Sequence, residues 1–591
     1  MKKFMFLTLA VAIGFAACDK DNETPEPIGP DTPSDTTPTI DSAKLNPNNY
    51  RYLKTYIDRA EHPIFKFSAA HDVTEFHNNT NGVRDTIIAN FDEIVAGNAM
   101  KYASCVDGGG NMNFTRVQQF VSDAKAAGLT IFGHTLAWHS QQQPAYLMSL
   151  MADMEVDVPD NEKVDIEDIN ESYKGLKSWN YWHDDFQRES DNLDFSITTE
   201  PDGVLIKNNK KSANNYNVQY QIINNLATKV GTEYTLTIKL KASDTTTIDF
   251  SIGDWYPNNY NGKLSIDTTM KEYSITFEPV VGGGFVLLQS GFFVGDILIE
   301  NLKITHKGSN KTIPLTAEQK HDTLVWAMDQ WIAGMMEATD GYVKAWDVVN
   351  EALSGGGNDG DGNYTLQHSE NPNDDAVVVK SGNFFWQDYM GDLDYVRTAV
   401  ASARKHFKGN ADELKLFIND YNLESDWDDN KKVKSIVGWI KKWEADGVTK
   451  IDGIGTQMHI SCYEDASLQK SAENHIIKMF EIMAESGKLC RISELDMGYV
   501  RGSNKWAGSV KTDKVTEAEH RKMADFYEFI IKKYFEIIPA AQQYGICQWC
   551  LTDAASNSGW RAGEPVGIWT EKFKARKAAY YGFANGLAGE E

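Results

Sequence analysis

A short apolar stretch followed by a segment with helical periodicity recurs eight times along this chain. In residues 114–127, for example, Val117, Phe120, Val121 and Ala124 recur at the spacing of one helix face. The predicted strands are 65–71, 91–98, 129–138, 342–349, 414–418, 451–460, 489–496 and 544–553. Eight such units predict an α/β fold, a closed (β/α)8 TIM barrel with reactive residues at the carboxyl ends of its strands.

An open, doubly wound sheet is the structural alternative to the barrel. Such a sheet normally carries a glycine-rich nucleotide-binding loop after its first strand, and none follows residues 65–71. The closed barrel is therefore the favoured prediction. Its predicted helices include 114–127, 393–407, 433–446, 468–486, 516–538 and 573–583.

Residues 178–306 show a different pattern, in which strand-like alternation is interrupted by turns rich in Asn and Gly. This alternating pattern and the length of the segment are typical of a small β-sandwich. The barrel resumes at Thr316, which makes a capping-box pattern with Gln319 ahead of a helical segment. A loop of a barrel tolerates such an insertion because the barrel core is left untouched. The predicted domains are a first barrel part over 46–155, an inserted β-sandwich over 156–312 and the remainder of the barrel over 313–591.

The first residues predict an export signal rather than part of the fold. Residues 1–3 contain two lysines and residues 4–17 are apolar, as in a signal peptide spanning residues 1–17. Phe15, Ala16, Ala17 and Cys18 together resemble a bacterial lipobox, in which cleavage precedes the cysteine and lipid is attached to its sulfur. An ordinary secretory signal with an incidental cysteine is the alternative.

The segment that follows is a predicted tether. Residues 18–45 contain many Asp, Pro and Thr residues and few apolar ones, so we expect a flexible linker. The acidic residues just after Cys18 resemble the surface-export signals of Bacteroidetes lipoproteins. We therefore expect a protein in the cell envelope, anchored to the outer membrane by lipid on Cys18 and facing the cell surface.

Charge and aromatic content restrict the partners of the chain. The 84 acidic residues exceed the 58 Lys and Arg residues, which gives a formal net charge of −26. Such a surface repels nucleic acid and anionic lipid, so we expect neither as a partner. The 15 Trp and 25 Tyr residues favour uncharged ligands with flat apolar faces, such as sugars.

The cysteines do not predict a redox or metal centre. Beyond Cys18, five cysteines remain at positions 105, 462, 490, 547 and 550, and an odd number cannot all pair. None has metal-ligand spacing with a second cysteine or histidine pair. Cys547 and Cys550 lie in an apolar run that is typical of a buried strand. We predict neither a metal nor a cofactor.

Two glutamates end predicted strands and carry the chemical hypothesis. Glu351 closes the fourth strand after Asn350, and Glu494 closes the seventh strand shortly before Asp496. Each alone is as easily a salt-bridged residue of the barrel rim. Together with their polar neighbours they match the need of a retaining glycosidase for two carboxyl groups about 5–5.5 Å apart.

Histidines and tryptophans surround these strand ends. Gln457 and His459 end the sixth strand, and His134 lies near the end of the third. No second histidine stands at metal-ligand spacing from His459, and His134 and His139 are expected to point to opposite faces of their strand. Polar side chains at strand ends suit sugar hydroxyls, and the tryptophans that offer stacking faces are Trp138, Trp549 and Trp560.

The strand-end motifs together resemble those of the glycoside hydrolase family 10 endo-1,4-β-xylanases. These motifs are GHTLAWHSQ at 133–141, WDVVNE at 346–351, NDYN at 419–422, QMH at 457–459, ELD at 494–496, QW at 548–549 and WR at 560–561. They occur in the order of the family and lie on both sides of the insert. The resemblance implies a (β/α)8 barrel that cleaves internal bonds of xylan with retention through a covalent glycosyl-enzyme intermediate.

The resemblance also implies residue roles. Glu351 would be the general acid/base and Glu494 the nucleophile, with His459 and Asp496 keeping the nucleophile oriented and ionised. Asn350 would donate a hydrogen bond to the sugar 2-hydroxyl in the transition state. The residues that would line the sugar subsites are Asn98, Lys101, His134, Trp138, Gln141, Tyr421, Gln457, Trp549 and Trp560.

Three positions depart from the family pattern. Gly97 stands where the family usually has Glu, which would weaken a distal subsite on the non-reducing side. Cys550 stands where Gly often follows the tryptophan, which we interpret as a change in packing. The insert resembles the carbohydrate-binding modules found inside some Bacteroidetes xylanases. Its hypothetical glycan platform is Trp255, Tyr256 and Tyr260, although core packing explains these aromatic residues almost as well.

Two other functions stay open from the sequence. The chain is alternatively a surface glycan-binding lipoprotein without catalysis, which the presence of both Glu351 and Glu494 disfavours. It is alternatively an endo-glucanase, which differs only in the walls of the subsites. We expect xylan and xylo-oligosaccharides as partners of a monomeric enzyme.

Overall fold

A computed structural model describes residues 46–156, 158–173, 180–183, 195–224, 226–255, 258–309 and 312–589. Cys18, the signal segment 1–17 and the tether 18–45 lie outside the described residues. Eight parallel strands form the largest sheet. They are β1 (Lys66–His71), β2 (Glu93–Ala96), β3 (Thr130–Ala137), β4 (Ala345–Asn350), β5 (Lys415–Asp420), β6 (Gly453–Thr456), β7 (Leu489–Val500) and β8 (Gln543–Gln548).

The sheet is closed. Its strands follow the order β6-β5-β4-β3-β2-β1-β8-β7, and β6 also pairs with β7. The interior is filled by side chains from several strands, including Phe132 of β3 and Phe417 of β5, whose ring centroids are 5.4 Å apart. This arrangement confirms the predicted (β/α)8 barrel and places the carboxyl ends of all eight strands around one mouth.

Helices surround the barrel and bury their apolar faces against it. The helix Thr115–Ala127 buries Val117, Phe120, Val121 and Ala124, as its periodicity predicts. The other helices are Val73–Asn78, Val83–Asn90, Tyr102–Cys105, Pro144–Leu150, Ala317–Thr339, Asp375–Ser381, Gln387–Met390, Asp394–His406, Lys431–Trp443, Ala466–Glu485, Glu517–Ile537 and Ala579–Ala588. No helix in the described ranges combines the length and apolar character that crossing a bilayer requires.

A β-sandwich interrupts the barrel between β3 and β4, as predicted. One antiparallel sheet contains the strands Lys271–Phe277, Tyr234–Ala242, Gly295–Gly308, Gly203–Asn208, Phe195–Glu200 and Val164–Ser172, and the other contains Asn258–Ile266, Thr246–Gly253, Phe285–Gln289, Val218–Ile223 and Asn180–His183. The two sheets share a core of their own, to which Leu236, Ile238 and Phe250 contribute.

The ends of the insert lie next to each other. The short strands Met154–Glu155 and Thr312–Ile313 pair antiparallel where the chain leaves the barrel and returns to it. The chain then re-enters the barrel at Thr316, whose side chain accepts from the backbone of Gln319 while Gln319 reaches back to Thr316. This capping box begins the helix Ala317–Thr339.

Two details differ from the sequence-based expectation. The strand-like alternation of the sandwich begins at residue 178 in the sequence, but the strand Val164–Ser172, within the predicted domain 156–312, already belongs to the sandwich. Most side chains of this strand are exposed and polar, so it shows no alternation. The predicted strand 451–460 is divided into β6 and a separate strand, His459–Tyr463, which pairs with the end of β7. Met458 interrupts the strand because its backbone is left-handed, with φ of 57°.

A buried ion pair ties the opposite end of the barrel together. The guanidinium of Arg491, at the start of β7, donates to the Glu93 carboxylate at 2.9 Å and to Ser68 Oγ at 3.1 Å. Arg491 also lies over the ring of Phe132, at 3.8 Å from its centroid. Arg491 and Glu93 lie among the first residues of their strands. The ion pair is therefore at the amino-terminal end of the barrel, opposite the mouth formed by the carboxyl ends of the strands.

Candidate active site

Glu351 is the first residue after β4, and its backbone turns sharply there. Its φ is 54°, in the left-handed region that a side chain other than glycine rarely adopts. Its N–H donates to the carbonyl oxygen of Asn419 at 2.8 Å, which fixes the turn against β5. A strained backbone conformation of this kind persists only where surrounding contacts enforce it, and such positions are often found at functional sites.

Two side chains from neighbouring strand ends donate to the Glu351 carboxyl group. Trp138 Nε1 donates to Oε2 at 3.0 Å, and Gln457 Nε2 donates to Oε1 at 2.9 Å. Burial is the largest influence on its pKa and raises it; the charges of Asp420 and Glu494 act in the same direction, and the Gln457 hydrogen bond only partly offsets them. The pKa of Glu351 therefore lies above the ordinary value, which favours the protonated acid.

Glu494 lies within β7, and its side chain is only 6% exposed. Asn419 Nδ2 donates to its Oε1 at 2.9 Å, and His459 Nε2 lies 3.3 Å from its Oε2. Burial alone would raise the pKa of Glu494. The hydrogen bond with His459 and the positive charges of His134, His459 and Lys101 outweigh burial and lower the pKa below its ordinary value. Glu494 is thus held as a carboxylate.

His459 bridges Glu494 to a second carboxylate, Asp496. Its Nδ1 lies 3.0 Å from Asp496 Oδ2, and the two residues are register partners on adjacent strands. Burial opposes the charged ring, but the Asp496 carboxylate and then Glu494 raise the pKa of His459 to about 10.

Asp496 is itself held ionised. Arg561 NH1 donates to its Oδ1 at 2.7 Å and Trp560 Nε1 donates to its Oδ2 at 2.8 Å. Burial alone would raise the pKa of Asp496. The charges of His459 and Arg561 and the hydrogen bonds to the carboxylate outweigh burial and lower the pKa to about 2. A cation, His459, therefore lies between two carboxylates, which keeps the negative charge on Glu494.

Amide side chains connect the two glutamates. Asn419 Nδ2 donates both to Glu494 Oε1 and to Asn350 Oδ1, each at 2.9 Å. Gln457 Nε2 donates to Glu351 Oε1 at 2.9 Å and approaches Asn350 Oδ1 at 3.4 Å. One continuous network therefore joins Glu351 to Glu494, so the structure brings the two carboxyl groups predicted from the sequence into one site.

Two members of this network were not among the residues singled out from the sequence. Asn419 occurs in the NDYN motif without a predicted role, and Arg561 was quoted only as part of a motif. Asn419 is in register with Asn350 on the neighbouring strand, and that pairing explains their contact. The sequence signal for Asn419 was its place as the penultimate residue of a barrel strand.

The predicted subsite residues near β2 and β3 form a polar group beside Glu351. Asn98 Oδ1 accepts from Lys101 Nζ at 3.2 Å and from Gln141 Nε2 at 3.3 Å. Lys101 Nζ lies 5.0 Å from the ring centroid of Trp138. Burial is the largest influence on the pKa of Lys101 and lowers it. These side chains border the same mouth as the two glutamates.

His134 contributes differently from the other subsite residues. It is almost fully buried, and its Nδ1 lies 2.8 Å from Asp347 Oδ2 on β4. Its ring makes an edge contact with Trp549, at 5.5 Å between centroids. His134 therefore faces inward beneath Trp549, while His139 lies past the end of β3 and stacks on Phe385 at 4.8 Å.

Tyr421, Trp549 and Trp560 complete the predicted set. Lys432 Nζ lies 3.4 Å from the ring centroid of Tyr421 and pairs with buried Asp420 at 2.8 Å, which holds Tyr421 in place. The ring of Trp560 lies 4.6 Å from that of His459, and the residue is 45% exposed. Trp560 therefore offers an accessible aromatic surface directly over the Glu494 side of the site.

The cysteines and possible metal ligands add no further centre. The five cysteines at positions 105, 462, 490, 547 and 550 are free thiols, and burial raises the pKa of Cys547 and Cys550 above that of an ordinary thiol. Cys550 Sγ lies 3.7 Å from Asp496 Oδ2. Among the residues that the structure describes, no cluster of His, Cys, Asp and Glu has a metal-binding arrangement.

The aromatic residues predicted as a platform on the insert occupy different environments. Trp255 is 56% exposed and contacts the ring of Phe285 at 4.7 Å. Tyr260 packs against the sandwich core, where its ring makes an edge contact with Phe250 at 6.4 Å. Tyr256 lies outside the described residues. Of the described pair, Trp255 is the one with a largely accessible ring.

Known proteins resemble this chain over most of the barrel. Residues 57–199 and 309–585 match the family described as Glycosyl hydrolase family 10. An endo-beta-1,4-xylanase, Xyn10C, of Cellvibrio japonicus is 29% identical over 241 residues, which covers 41% of this chain and 33% of that protein. Endo-1,4-beta-xylanase A of Thermotoga maritima is 33% identical over 223 residues, which covers 38% of this chain and 16% of that protein.

A solved structure shows the same fold. Native xylanase 10C from Cellvibrio japonicus superposes with a TM-score of 0.50 at 18% sequence identity, covering 92% of this chain and 74% of that chain. The chain spans a third or less of the length of the curated relatives described above.

Proposed function

The chain belongs to glycosyl hydrolase family 10, and on this premise we propose that it is an endo-acting, retaining glycoside hydrolase that cleaves internal β-1,4-xylosidic bonds of xylan. One observation carries the proposal. Glu351, whose pKa is raised, and Glu494, whose pKa is lowered, meet in a single hydrogen-bond network at the barrel mouth. A retaining glycosidase needs this pairing of an acid with a carboxylate.

In the first step, Glu494 attacks the anomeric carbon of the xylose unit on the non-reducing side of the scissile bond. The bond to the leaving oxygen breaks as an ester bond to Glu494 forms, and Glu351 transfers its proton to that oxygen. Burial raises the pKa of Glu351, which favours the protonated form before this step. The reducing-end portion of the chain leaves as a neutral alcohol.

In the second step, Glu351 is a carboxylate and accepts a proton from a water molecule. The water oxygen attacks the anomeric carbon, and the ester bond to Glu494 breaks. Two inversions give net retention, and both glutamates return to their starting protonation states. The single proton of Glu351 is thus donated in one step and recovered in the next.

The amides around Glu494 stabilise the transition state. Asn350 Oδ1 accepts from Asn419, which leaves the Asn350 amide nitrogen directed toward Glu351 at 3.3 Å. That nitrogen would donate to the sugar 2-hydroxyl. A preorganised donor of this kind gains strength as charge develops on the sugar. His459 and Asp496 keep Glu494 ionised before the attack.

Xylan as the substrate is supported by the two relatives described above, which are named endo-1,4-beta-xylanases. The rings of Trp138, Trp549 and Trp560 lie beside the two glutamates and offer aromatic faces that suit a neutral polysaccharide. The test is digestion of purified xylan and carboxymethylcellulose side by side with a reducing-sugar assay. We expect release from xylan only; release mainly from carboxymethylcellulose would assign an endo-glucanase, and no release from either would assign a non-catalytic glycan-binding protein.

The inserted β-sandwich is proposed to be a carbohydrate-binding module for the same polysaccharide. Support comes from its separate core and from the accessible ring of Trp255. The full-length protein with Glu494→Ala should sediment with insoluble xylan, and a further Trp255→Ala change should reduce that retention. A matched Tyr260→Phe change should leave retention unaltered because Tyr260 packs inward.

Attachment to the outer membrane is proposed from the lipobox that ends at Cys18. Cells fed a fatty-acid analogue should incorporate label into the protein, and Cys18→Ala should abolish incorporation. Surface exposure is tested by adding protease to intact cells, which should digest the protein if it faces outward.

A further inference from the structure

Two tryptophans with strongly exposed rings lie side by side at the barrel mouth. Trp427 follows β5 and Trp506 follows β7, and their ring centroids are 5.7 Å apart. Trp427 is 53% exposed and Trp506 is 71% exposed. Large rings of this kind are rarely left in water as a pair without a partner that covers them.

The two loops that carry these rings are held together. Asp426, which precedes Trp427, forms an ion pair with Lys505, which precedes Trp506, at 2.8 Å. The other oxygen of Asp426 accepts from Ser471 at 3.1 Å, which anchors the pair to the helix Ala466–Glu485. The tryptophan pair is thus positioned before any ligand binds, and that lowers the entropy cost of binding.

The charge beside the rings is neutralised. Lys505 Nζ lies 5.7 Å from the ring centroid of Trp427 and 5.1 Å from that of Trp506. Because its ammonium group is already paired with Asp426, Lys505 adds little attraction for an anion. The surface therefore suits a neutral ligand with flat apolar faces rather than a phosphate or a carboxylate.

The tryptophan pair is continuous with the site of the proposed reaction. A cavity of about 110 Å³ is lined by both His459 and Trp427, with Ser461, Tyr463 and Lys505 between them. His459, Ser461 and Tyr463 alternate along one strand, so they lie on the same face. This face leads from the histidine that contacts Glu494 outward to Trp427.

A buried carboxyl oxygen beside the same cavity lacks a partner. Glu424 lines the cavity, and its Oε2 is shielded from solvent with no hydrogen-bond partner in the described part of the chain. Burial raises the pKa of Glu424. A polar group in this state gains free energy when a ligand hydroxyl supplies the missing hydrogen bond.

The position of the pair relative to the barrel indicates which end of the substrate it meets. Asn98 and Lys101 follow β2, whereas Trp427 and Trp506 follow β5 and β7. In the closed order of strands, β2 stands opposite β6, which lies between β5 and β7. Gly97, which the sequence analysis linked to a subsite on the non-reducing side, also directly follows β2. The tryptophans are therefore across the mouth from that position.

We propose that Trp427 and Trp506, with Glu424 and Lys505, form a further sugar-binding site that stacks the reducing-end portion of a long xylan chain beyond the scissile bond. This inference rests on the proposed function for the identity of the chain that enters the cleft. The site would take pyranose rings through their apolar faces while Glu424 bonds a hydroxyl. The site would bind polymers and long oligosaccharides. Substrates that end at the scissile bond would be too short to reach it.

The experiment compares the full-length protein with the double variant Trp427→Ala/Trp506→Ala. Trp326→Ala is the matched control because Trp326 is also 53% exposed but lies on the helix Ala317–Thr339. We measure kcat/KM on soluble xylan and on an aryl β-xylobioside, whose aryl group occupies only the start of the reducing side. The double variant should lose about tenfold in kcat/KM on xylan, because it removes two rings that a bound xylan chain would cover. Its kcat/KM on the aryl substrate should stay unchanged.

Three results would overturn the proposal. Unchanged kcat/KM on xylan would show that the rings do not contact the polymer. An equal loss on both substrates would show a structural role in the catalytic site. An equal loss in Trp326→Ala on xylan would show nonspecific adsorption of the polymer to exposed tryptophans.

A binding measurement separates this inference from the proposed activity. In a Glu494→Ala background, calorimetry with xylohexaose and xylobiose requires no turnover. The double variant should weaken binding of xylohexaose and leave that of xylobiose unchanged; equal affinities for xylohexaose with and without the tryptophans would refute the site. If the unaltered protein cleaves no xylan, the proposed function fails, while this binding comparison still decides whether the tryptophan pair binds the polysaccharide.

Discussion

The Nε2 atom of His459 lies 3.3 Å from Oε2 of Glu494. Because the pKa of His459 is raised to about 10, the ring is a cation over the whole range in which the enzyme would work. Its charge and hydrogen bond outweigh the burial of Glu494 and lower the pKa of that carboxyl group. The nucleophile is therefore kept ionised by a neighbour rather than by exposure to water.

The pH profile should report this contact. Activity is lost on the acid side when Glu494 gains a proton, and on the alkaline side when Glu351 loses its proton. In His459→Gln the pKa of Glu494 rises, so the acid limb of kcat/KM on an aryl xylobioside should move to higher pH while the alkaline limb stays in place. His139→Gln is the control, since His139 stacks on Phe385 and does not contact Glu494. An acid limb that stays in place in His459→Gln contradicts the assignment.

Glu351→Ala should affect the two steps differently. Without the acid, substrates with poor leaving groups should slow most, whereas an activated aryl xyloside should still form the ester with Glu494. Added azide should then restore turnover on the activated substrate by attacking the ester, which can be followed by release of the aryl group and detection of the glycosyl azide. Equal slowing of good and poor leaving groups would argue that Glu351 is not the acid.

Asn419→Ala should lower kcat although Asn419 has no proton to transfer. Its amide donates to both Glu494 and Asn350, so its loss frees two side chains of the network. We expect a decrease in kcat of about 10²-fold, comparable to removal of one preorganised donor, with little change in KM. Asn585→Ala, which removes an amide bonded to Glu528 in the helix Glu517–Ile537, is the control. A normal kcat in Asn419→Ala would show that Asn419 does not position the catalytic pair.

Gly97→Glu should strengthen a distal subsite. The backbone of Gly97 is not left-handed, and a Cβ there would make an ordinary contact with the His71 carbonyl oxygen at 3.6 Å, so the position tolerates a side chain at its first atom. A carboxylate would supply a charged hydrogen bond to a sugar, and we expect KM for xylotetraose to fall about fivefold because such bonds stabilise more than neutral ones. Gly97→Ala should change nothing. A KM that stays constant in Gly97→Glu would place the distal sugar elsewhere.

The barrel was predictable because the apolar residues recur at a different spacing in strands and in helices. In the helix Thr115–Ala127, apolar positions such as Val117 and Phe120 mark the buried face. The strand Val164–Ser172 was missed because it exposes most of its polar side chains and so lacks the alternation. The break at Met458 was also hidden, since a methionine rarely adopts a left-handed backbone and its neighbours Gln457 and His459 give no turn signal.

The two glutamates were recognisable because the predicted strands end at or beside them, although β7 continues past Glu494 to Val500. The side chains that contact them were not recognisable. Asn419 on β5 contacts Glu494 on β7 because only β6 separates these two strands in the closed sheet. Arg561 reaches Asp496 from a loop that follows β8. Contacts between side chains so distant in the sequence depend on strand order and loop path, which local pattern does not encode.

The identity of the nucleophile is tested most directly by trapping the glycosyl-enzyme intermediate. A 2-deoxy-2-fluoro-xylobioside with a dinitrophenyl leaving group slows the second step more than the first, so the ester accumulates. Mass spectrometry of the intact protein and of its peptides should find one fluoroxylobiosyl group on Glu494, and proton NMR of an ordinary digest should show retained anomeric configuration. A label on another residue, or no label together with an inverted product, would contradict the account.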